Sequence, residues 1–266
     1  MTTHGAGVLL KLGGELLEHA AGRRDVARAM HRLRDAGPLV VVHGGGREVD
    51  AEMAAKGIAK RAVDGLRLTD SDTLEVVVGV LAGRVNTRLV AAARVAGIPA
   101  VGLTAADAGV SPVRRADTYT AADGTQVDLG WVGKPVGTEA PVLVTRLCDA
   151  GFVPIIASIG ADADGQLLNV NADTLAGHLA ARLSVEQLLI AGGTAGVLDE
   201  HGDTITSITG GLLEQLVADG RASAGMVAKL IACREAHRGG VARVRIVSGK
   251  NTTNLDECPG TTVGGQ

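Results

Sequence analysis

The chain has 266 residues, among them 41 Ala and 38 Gly, and its only aromatics are Tyr119, Trp131 and Phe152. It cannot build the aromatic platforms of a single-strand nucleic-acid reader, and a net charge of −3 with scattered basic residues leaves no electrostatic footprint for nucleic acid. With 46% hydrophobic and 21% charged residues the chain reads as globular with an aliphatic core.

Met1–Gly7 holds no basic segment followed by an apolar run, so no signal peptide is expected. Val8–Leu12 reads as a buried strand ending in Gly13-Gly14. Val26, Met30 and Leu33 then recur at helical spacing until Gly37-Pro38 stops the helix. Leu39–Val42 is a second strand running into His43-Gly44-Gly45-Gly46, with Val49 and Met53 marking the next helix. Thr69 to Ala96 reads as two helices in sequence. Thr69-x-x-Asp72 resembles a capping box, and Leu74, Val77, Val78 and Leu81 form the apolar stripe. Ala100–Leu103 is a strand, and Ser111–Thr138 breaks into short β pieces, as in a surface hairpin excursion.

Helix Glu139–Ala150, strand Phe152–Ile156 and a turn at Asp162–Gly165 follow. A second series runs through helix Ala172–Leu183, strand Gln187–Ile190, a Gly192-Gly193 loop, helices Leu212–Ala218 and Gly225–His237, and strand Val244–Val247. Such alternation predicts an α/β fold with a mostly parallel sheet covered on both faces. A lobe boundary is expected near Leu183, dividing 1–183 from 184–266. The longest uncharged stretches are 12 residues each. A membrane span needs roughly 18, so no membrane association is expected. Cys148, Cys233 and Cys258 are odd in number and widely spaced, which reads as reduced thiols of a cytoplasmic protein rather than a disulfide frame or zinc site.

Two strands end in glycine loops, Lys11-Leu12-Gly13-Gly14 and His43-Gly44-Gly45-Gly46. Loops without Cβ atoms let an anion approach backbone N–H groups, although each alone is more often a tight turn. The P-loop pattern, the G-x-G-x-x-G fingerprint, H-E-x-x-H and G-x-S-x-G are all absent. The order of five pieces is more telling. After the two glycine loops come Gly65-Leu66-Arg67-Leu68-Thr69, Asn169-Val170-Asn171-Ala172-Asp173 and Gly225-Met226-Val227-Ala228-Lys229. Over nearly its whole length the chain resembles the acetylglutamate kinases of the amino-acid kinase family.

The resemblance implies a three-layer αβα sandwich with an amino-acid lobe and a nucleotide lobe. It implies transfer of the ATP γ-phosphoryl group to the side-chain carboxylate of N-acetyl-L-glutamate, a step of arginine biosynthesis. By the same resemblance Lys11 and Lys229 stabilise the transferring group from opposite sides, and Asp173 holds both ammonium groups. Arg67 suits a bidentate clamp on the substrate α-carboxylate, and the Asn169 amide suits the N-acetyl and carboxylate groups. Asn171 is expected to shape the turn and His43 to be structural. Gly45 and Gly46 face the substrate and the phosphoryl oxygens, while Gly13, Gly14, Gly192 and Gly193 serve the nucleotide phosphates. Mg²⁺ is expected on ATP oxygens and water, with no dedicated protein metal site.

The sequence departs from the family at Leu189-Ile190-Ala191-Gly192-Gly193-Thr194, where Gly192 and Gly193 replace a hydroxyl residue and an acid. Backbone contacts to the nucleotide, or an altered ATP affinity, are both compatible with that change. Val227-Ala228 before Lys229 and Trp131 in the hairpin are milder departures. Only ten residues precede Lys11, too few for the extra N-terminal helix of arginine-inhibited hexameric relatives, which implies a homodimer without arginine feedback. A kinase of the same family acting on a protected aminoadipate, and a non-catalytic ligand sensor, are the alternatives.

Overall fold

The computed structural model describes residues 7–121, 123–218 and 224–264. Eight strands form the central sheet: β1 Val8–Leu12, β2 Leu39–His43, β3 Ala100–Thr104, β4 Val153–Ala157, β5 Gln187–Gly192, β6 Ser207–Ile208, β7 Arg243–Ser248 and β8 Gly260–Val263. Their order is β6-β8-β7-β5-β1-β2-β4-β3. All pairs are parallel except β7 with β8. The adjacent interior strands β5, β1 and β2 all end in glycine loops, at Gly192-Gly193, Gly13-Gly14 and Gly44-Gly45-Gly46.

Successive residues of a strand point to opposite faces, and this period sorts the apolar side chains into two cores. Leu9, Val40, Val42, Leu188 and Ile190 face one side, where Leu175, Leu179, Leu230 and Cys233 meet them. These come from α6 Ala172–Arg182 and α8 Ala224–Arg238. Leu10, Leu12, Val41 and Leu189 face the other side, against Met30, Val77, Leu81 and Leu89. Those belong to α1 Ala20–Asp35 and to a long helical stretch, Ser71–Val95. Helices α2 Gly46–Ala55, α5 Val142–Asp149 and α7 Gly210–Ala218 complete the two outer layers. The layering is the αβα sandwich expected from the resemblance.

Several boundaries differ from those expected. The two helices expected from Thr69 to Ala96 form one stretch, α3 Ser71–Val78 and α4 Asn86–Val95, joined by a π-helical segment Gly79–Val85. By length and composition this stretch could cross a membrane, but Leu74, Val77, Leu81, Val85 and Leu89 are core residues packed on the sheet. Its N-cap is Asp70, whose carboxylate accepts from Thr73 N–H at 2.9 Å, not Thr69. Thr69 is fully buried instead. Helix α5 starts after Pro141 rather than at Glu139, because a residue before proline is pushed out of the α region. The excursion is built of Val113–Arg115, Tyr119–Thr120, Gln126–Val127 and Val132–Pro135. The first and last of these join Ile159–Ala161 and Leu167–Val170 in a four-stranded sheet over one end of the central one. The three cysteines are free thiols. Burial, and secondarily Asp149, pushes the Cys148 thiol up to about 11.

Candidate active site

Parallel strands hand over to loops at their carboxyl ends, and there the N–H groups stand free to meet a ligand. A cleft of about 260 Å³ opens at that end of β1, β2 and β4. Residues 11, 13, 14, 45, 46, 67, 169, 173 and 229, all singled out from the sequence, line it together.

Lys11 occupies the same face of β1 as Leu9, so its side chain runs toward α6 and α8. Only 5% of it is exposed, and its ammonium stands 2.8 Å from Asp173 Oδ1. Asp173, itself 7% exposed, lies in the first turn of α6. Its Oδ2 is 4.0 Å from Lys229 Nζ, which also donates to the Gly225 carbonyl at 3.2 Å. Asn171 caps α6, its Oδ1 accepting from Asp173 N–H at 2.9 Å and Thr174 N–H at 3.1 Å. The spacing of α6 and α8 is set by Gly177. A Cβ there would stand 2.5 Å from the Ala232 carbonyl oxygen, so the two backbones touch. One carboxylate thus holds two ammonium groups from two elements, and the set presents net positive charge to the cleft.

The glycine loops meet backbone to backbone. A Cβ on Gly14 would lie 2.6 Å from Gly45 Cα, and one on Gly45 would lie 2.8 Å from Leu81 of the π-helical segment. Gly46 has nothing within 4 Å of its Cβ position, so that flank is open. His43 anchors the second loop from below. It is fully buried, its Nδ1–H donates to Gly44 O at 3.0 Å, and its Nε2 accepts from Asn86 Nδ2, also at 3.0 Å. That tautomer follows from the amide, which can only donate through Nδ2 and also donates to Ile155 O at 2.9 Å. Burial pushes the His43 pKa down to about 4, with the Gly44 bond opposing weakly. A neutral buried imidazole without access to the cleft is a structural group, as expected.

On the opposite wall Arg67 pairs with Asp50 and donates to Gly46 O at 3.3 Å and Met53 Sδ at 3.0 Å. Lys60 meets the same carboxylate at 2.7 Å. Burial would raise the Asp50 pKa, but Lys60 and Arg67 together outweigh it and hold the group below the usual carboxylate range. Asn169 Nδ2 donates to Thr69 Oγ1 at 3.1 Å, and that hydroxyl donates to Arg67 O at 3.2 Å. Trp131 N–H in turn donates to Thr69 O at 2.7 Å. Arg115 covers the Trp131 ring at 4.9 Å. Gly130 lets this hairpin dock: its φ is +76°, and a Cβ would stand 2.3 Å from Thr69 O.

Gly192 and Gly193 stand apart from the other expected residues. They lie at the end of β5, outside the cleft lining, beside a carboxylate from another loop. Gly193 N–H donates to Glu15 Oε1 at 2.6 Å. Among the described residues no group of three His, Cys, Asp or Glu side chains converges in a way that could hold a metal ion.

Residues 7–248 match the model of the amino acid kinase family. The chain belongs to the amino acid kinase family. An acetylglutamate kinase of Chromobacterium violaceum is 36% identical over 248 residues, covering 92% of this chain and 85% of that protein. An acetylglutamate kinase of Symbiobacterium thermophilum is 37% identical over 269 residues, 97% of this chain and 92% of that one. Among solved structures, a Streptococcus mutans protein superimposes with a TM-score of 0.82 at 26% identity, covering 97% and 98% of the two chains. Carbamate kinase from Giardia lamblia bound to AMP-PNP, 17% identical with a TM-score of 0.67, covers 99% of each chain and shares the fold.

This amino acid kinase also brings to its cleft residues that sequence reasoning missed. Ser158 lines it while 2% exposed, and its signal was its place just after β4, at the carboxyl end of a parallel strand. Glu15 lines it too, and its signal was an acid directly after Gly13-Gly14. Beneath the cleft rather than in its lining, Asn86, which fixes the His43 ring, had no local signal.

Proposed function

We propose that this chain phosphorylates the side-chain carboxylate of N-acetyl-L-glutamate with ATP, forming an acyl phosphate in arginine biosynthesis. The observation that carries this reading is the Lys11–Asp173–Lys229 cluster at one end of a cleft whose other wall presents Arg67 and Asn169. It stands in a chain 36% identical to an acetylglutamate kinase over 92% of its length.

A carboxylate acceptor is ionised at neutral pH, so the reaction needs no general base. The protein's work is positioning and charge neutralisation along the line of transfer. ATP supplies the phosphoryl group. Lys11 and Lys229 neutralise negative charge that develops on the transferring oxygens, and Asp173 keeps the two ammonium groups at their spacing. Gly14 offers its N–H group to the nucleotide phosphates beside the bare backbone of Gly13, whose own N–H is donated to Ala191 O at 2.8 Å, and Gly45 and Gly46 offer theirs to the acceptor side. Gly192 and Gly193 border the nucleotide side. Arg67 exchanges Asp50 for the substrate α-carboxylate, and Asn169 hydrogen-bonds the acyl-amino group. Mg²⁺ would be held by the nucleotide and water, since no group of three His, Cys, Asp or Glu converges for it among the described residues, and would supply further charge neutralisation.

In this reading residues 1–183 form the acceptor lobe and 184–266 the nucleotide lobe. The enzyme works in the cytoplasm as a homodimer, with no nucleic-acid or membrane partner. Support for the dimer is the sheet edge, where β3 is only half-buried and Val95 beside it is 89% exposed. Sedimentation equilibrium of the purified chain checks it, and a monomer contradicts it. The substrate is tested by trapping the acyl phosphate with hydroxylamine while N-acetylglutamate competes with N-acetyl-aminoadipate. Preferential hydroxamate from the glutamate derivative is expected. Preference for the longer acid would reassign the substrate, and binding without turnover would favour a sensor.

A further inference from the structure

Gly192 and Gly193 leave a gap in which side chains would normally stand, and Glu15 fills it. Its Oε1 accepts from Gly193 N–H at 2.6 Å, joining residues 178 apart in sequence. Cβ atoms built on Gly192 and on Gly193 would each lie 3.3 Å from that oxygen. On the other side Glu15 Oε2 stands 2.5 Å from the Cβ position of Gly13. The carboxylate therefore lies between the Gly13-Gly14 and Gly192-Gly193 loops, close on bare backbone at both.

Cations border the same points. The Gly192 Cβ position is 3.7 Å from Lys229 Cε, and that of Gly193 is 3.2 Å from Lys250 Cε. Bare backbone, a donated N–H and two lysine side chains make an anion-binding environment. Here the anion belongs to the chain itself. Glu15 is half-buried and lines the cleft, and its side chain has room to leave.

We propose that Glu15 is an internal anion seated in the phosphate end of the cleft, and that a nucleotide polyphosphate binds by displacing its carboxylate from Gly193. The proposal rests on the kinase reading for the identity of the ligand. It is consistent with glycine at both 192 and 193, where a Cβ would stand 3.3 Å from the Glu15 carboxylate, tighter than ordinary contact. It also makes Glu15 a determinant of nucleotide affinity, because each binding event must unseat one anion and bring others in beside it.

The test compares the wild-type chain with Glu15→Gln and Glu15→Ala. Calorimetric titration with inorganic tripolyphosphate and with ATP, both in EDTA, reads the affinity. Gln keeps the shape and removes the charge, whereas Ala removes both. Both variants are expected to bind either ligand at least about fivefold more tightly at low ionic strength, with the gain shrinking as salt is added. The KM for ATP falls in both while the KM for the acyl acceptor stays at the wild-type value. Wild-type or weaker affinity in both variants overturns the proposal. If the wild-type chain still forms hydroxamate in that case, displacement fails and the kinase reading stands. Absence of triphosphate binding by all three chains overturns both.

Discussion

At the scale of single residues, Lys11 and Asp173 form a nearly buried ion pair and are proposed to serve the chemistry, and the two roles can be separated. Both groups are nearly buried and face each other at 2.8 Å. Removing one leaves the other as an uncompensated buried charge, which costs about 3–5 kcal/mol. Asp173→Ala should therefore lower the unfolding free energy by that order in urea titrations. The paired change Lys11→Met with Asp173→Leu should recover most of the stability while activity stays lost. Lys229 is looser, at 4.0 Å and 17% side-chain exposure. Lys229→Ala should unfold close to wild type while its kcat falls by about 10²–10³, the scale of losing one transition-state charge stabiliser. Equal damage to stability and rate would deny Lys229 its catalytic role.

His43 gives a pH signature at the same scale. The folded chain holds the imidazole neutral down to about pH 4, whereas the unfolded chain protonates it near its ordinary 6.5. Between these values the unfolded state binds more protons, so stability falls as pH falls through that window and levels off below it. The full effect is roughly 3 kcal/mol. A His43→Gln variant should lose that component of the slope between pH 6.5 and 4. Parallel pH profiles for the two proteins would contradict the assignment.

Elements set the distances that these residues exploit. Helices α6 and α8 carry Asp173 and Lys229, and their backbones approach closely at Gly177 and Ala232. Gly177→Val should cost about 1–3 kcal/mol by overpacking and depress kcat more than KM, because it parts Lys229 from Asp173. A melting curve with steady-state kinetics checks both effects. At the start of α3, Asp70→Ala should cost about 1 kcal/mol through loss of the N-cap, whereas a Thr69 cap would predict no such loss. The central strands were legible because buried parallel strands read as continuous aliphatic runs, as in Leu39–Val42. Strands Ser207–Ile208 and Gly260–Val263 were not, since two to four residues rich in Ser, Thr and Gly look like loop until a neighbour pairs with them. The Ser71–Val95 stretch is continuous because the π-helical segment Gly79–Val85, with Gly79 and Gly83 inside it, carries α3 into α4, a join that apolar periodicity does not reveal.

For the whole molecule, the sheet order explains why motifs spread over more than 200 positions converge. β1 and β2 lie side by side in the middle of the sheet, β5 flanks β1, and all three end on one side. The residues of the five motifs were legible from their kinds and order. Glu15 was legible only as an acid beside Gly13-Gly14; its seat on Gly193, a neighbour in space alone, was not. The many Ala and Gly residues also gain a purpose where layers close in, at Gly14 against Gly45 and Gly177 against Ala232. The reaction proposed for this cluster moves a phosphoryl group from ATP to the side-chain carboxylate of N-acetylglutamate. Its most direct test is hydroxamate formation from ATP and N-acetylglutamate by the wild-type chain, Lys11→Ala and Lys229→Ala side by side. Robust hydroxamate from the wild type and a loss of at least about 10² in each variant is the predicted result. Turnover that survives both substitutions, or no wild-type product, would contradict it.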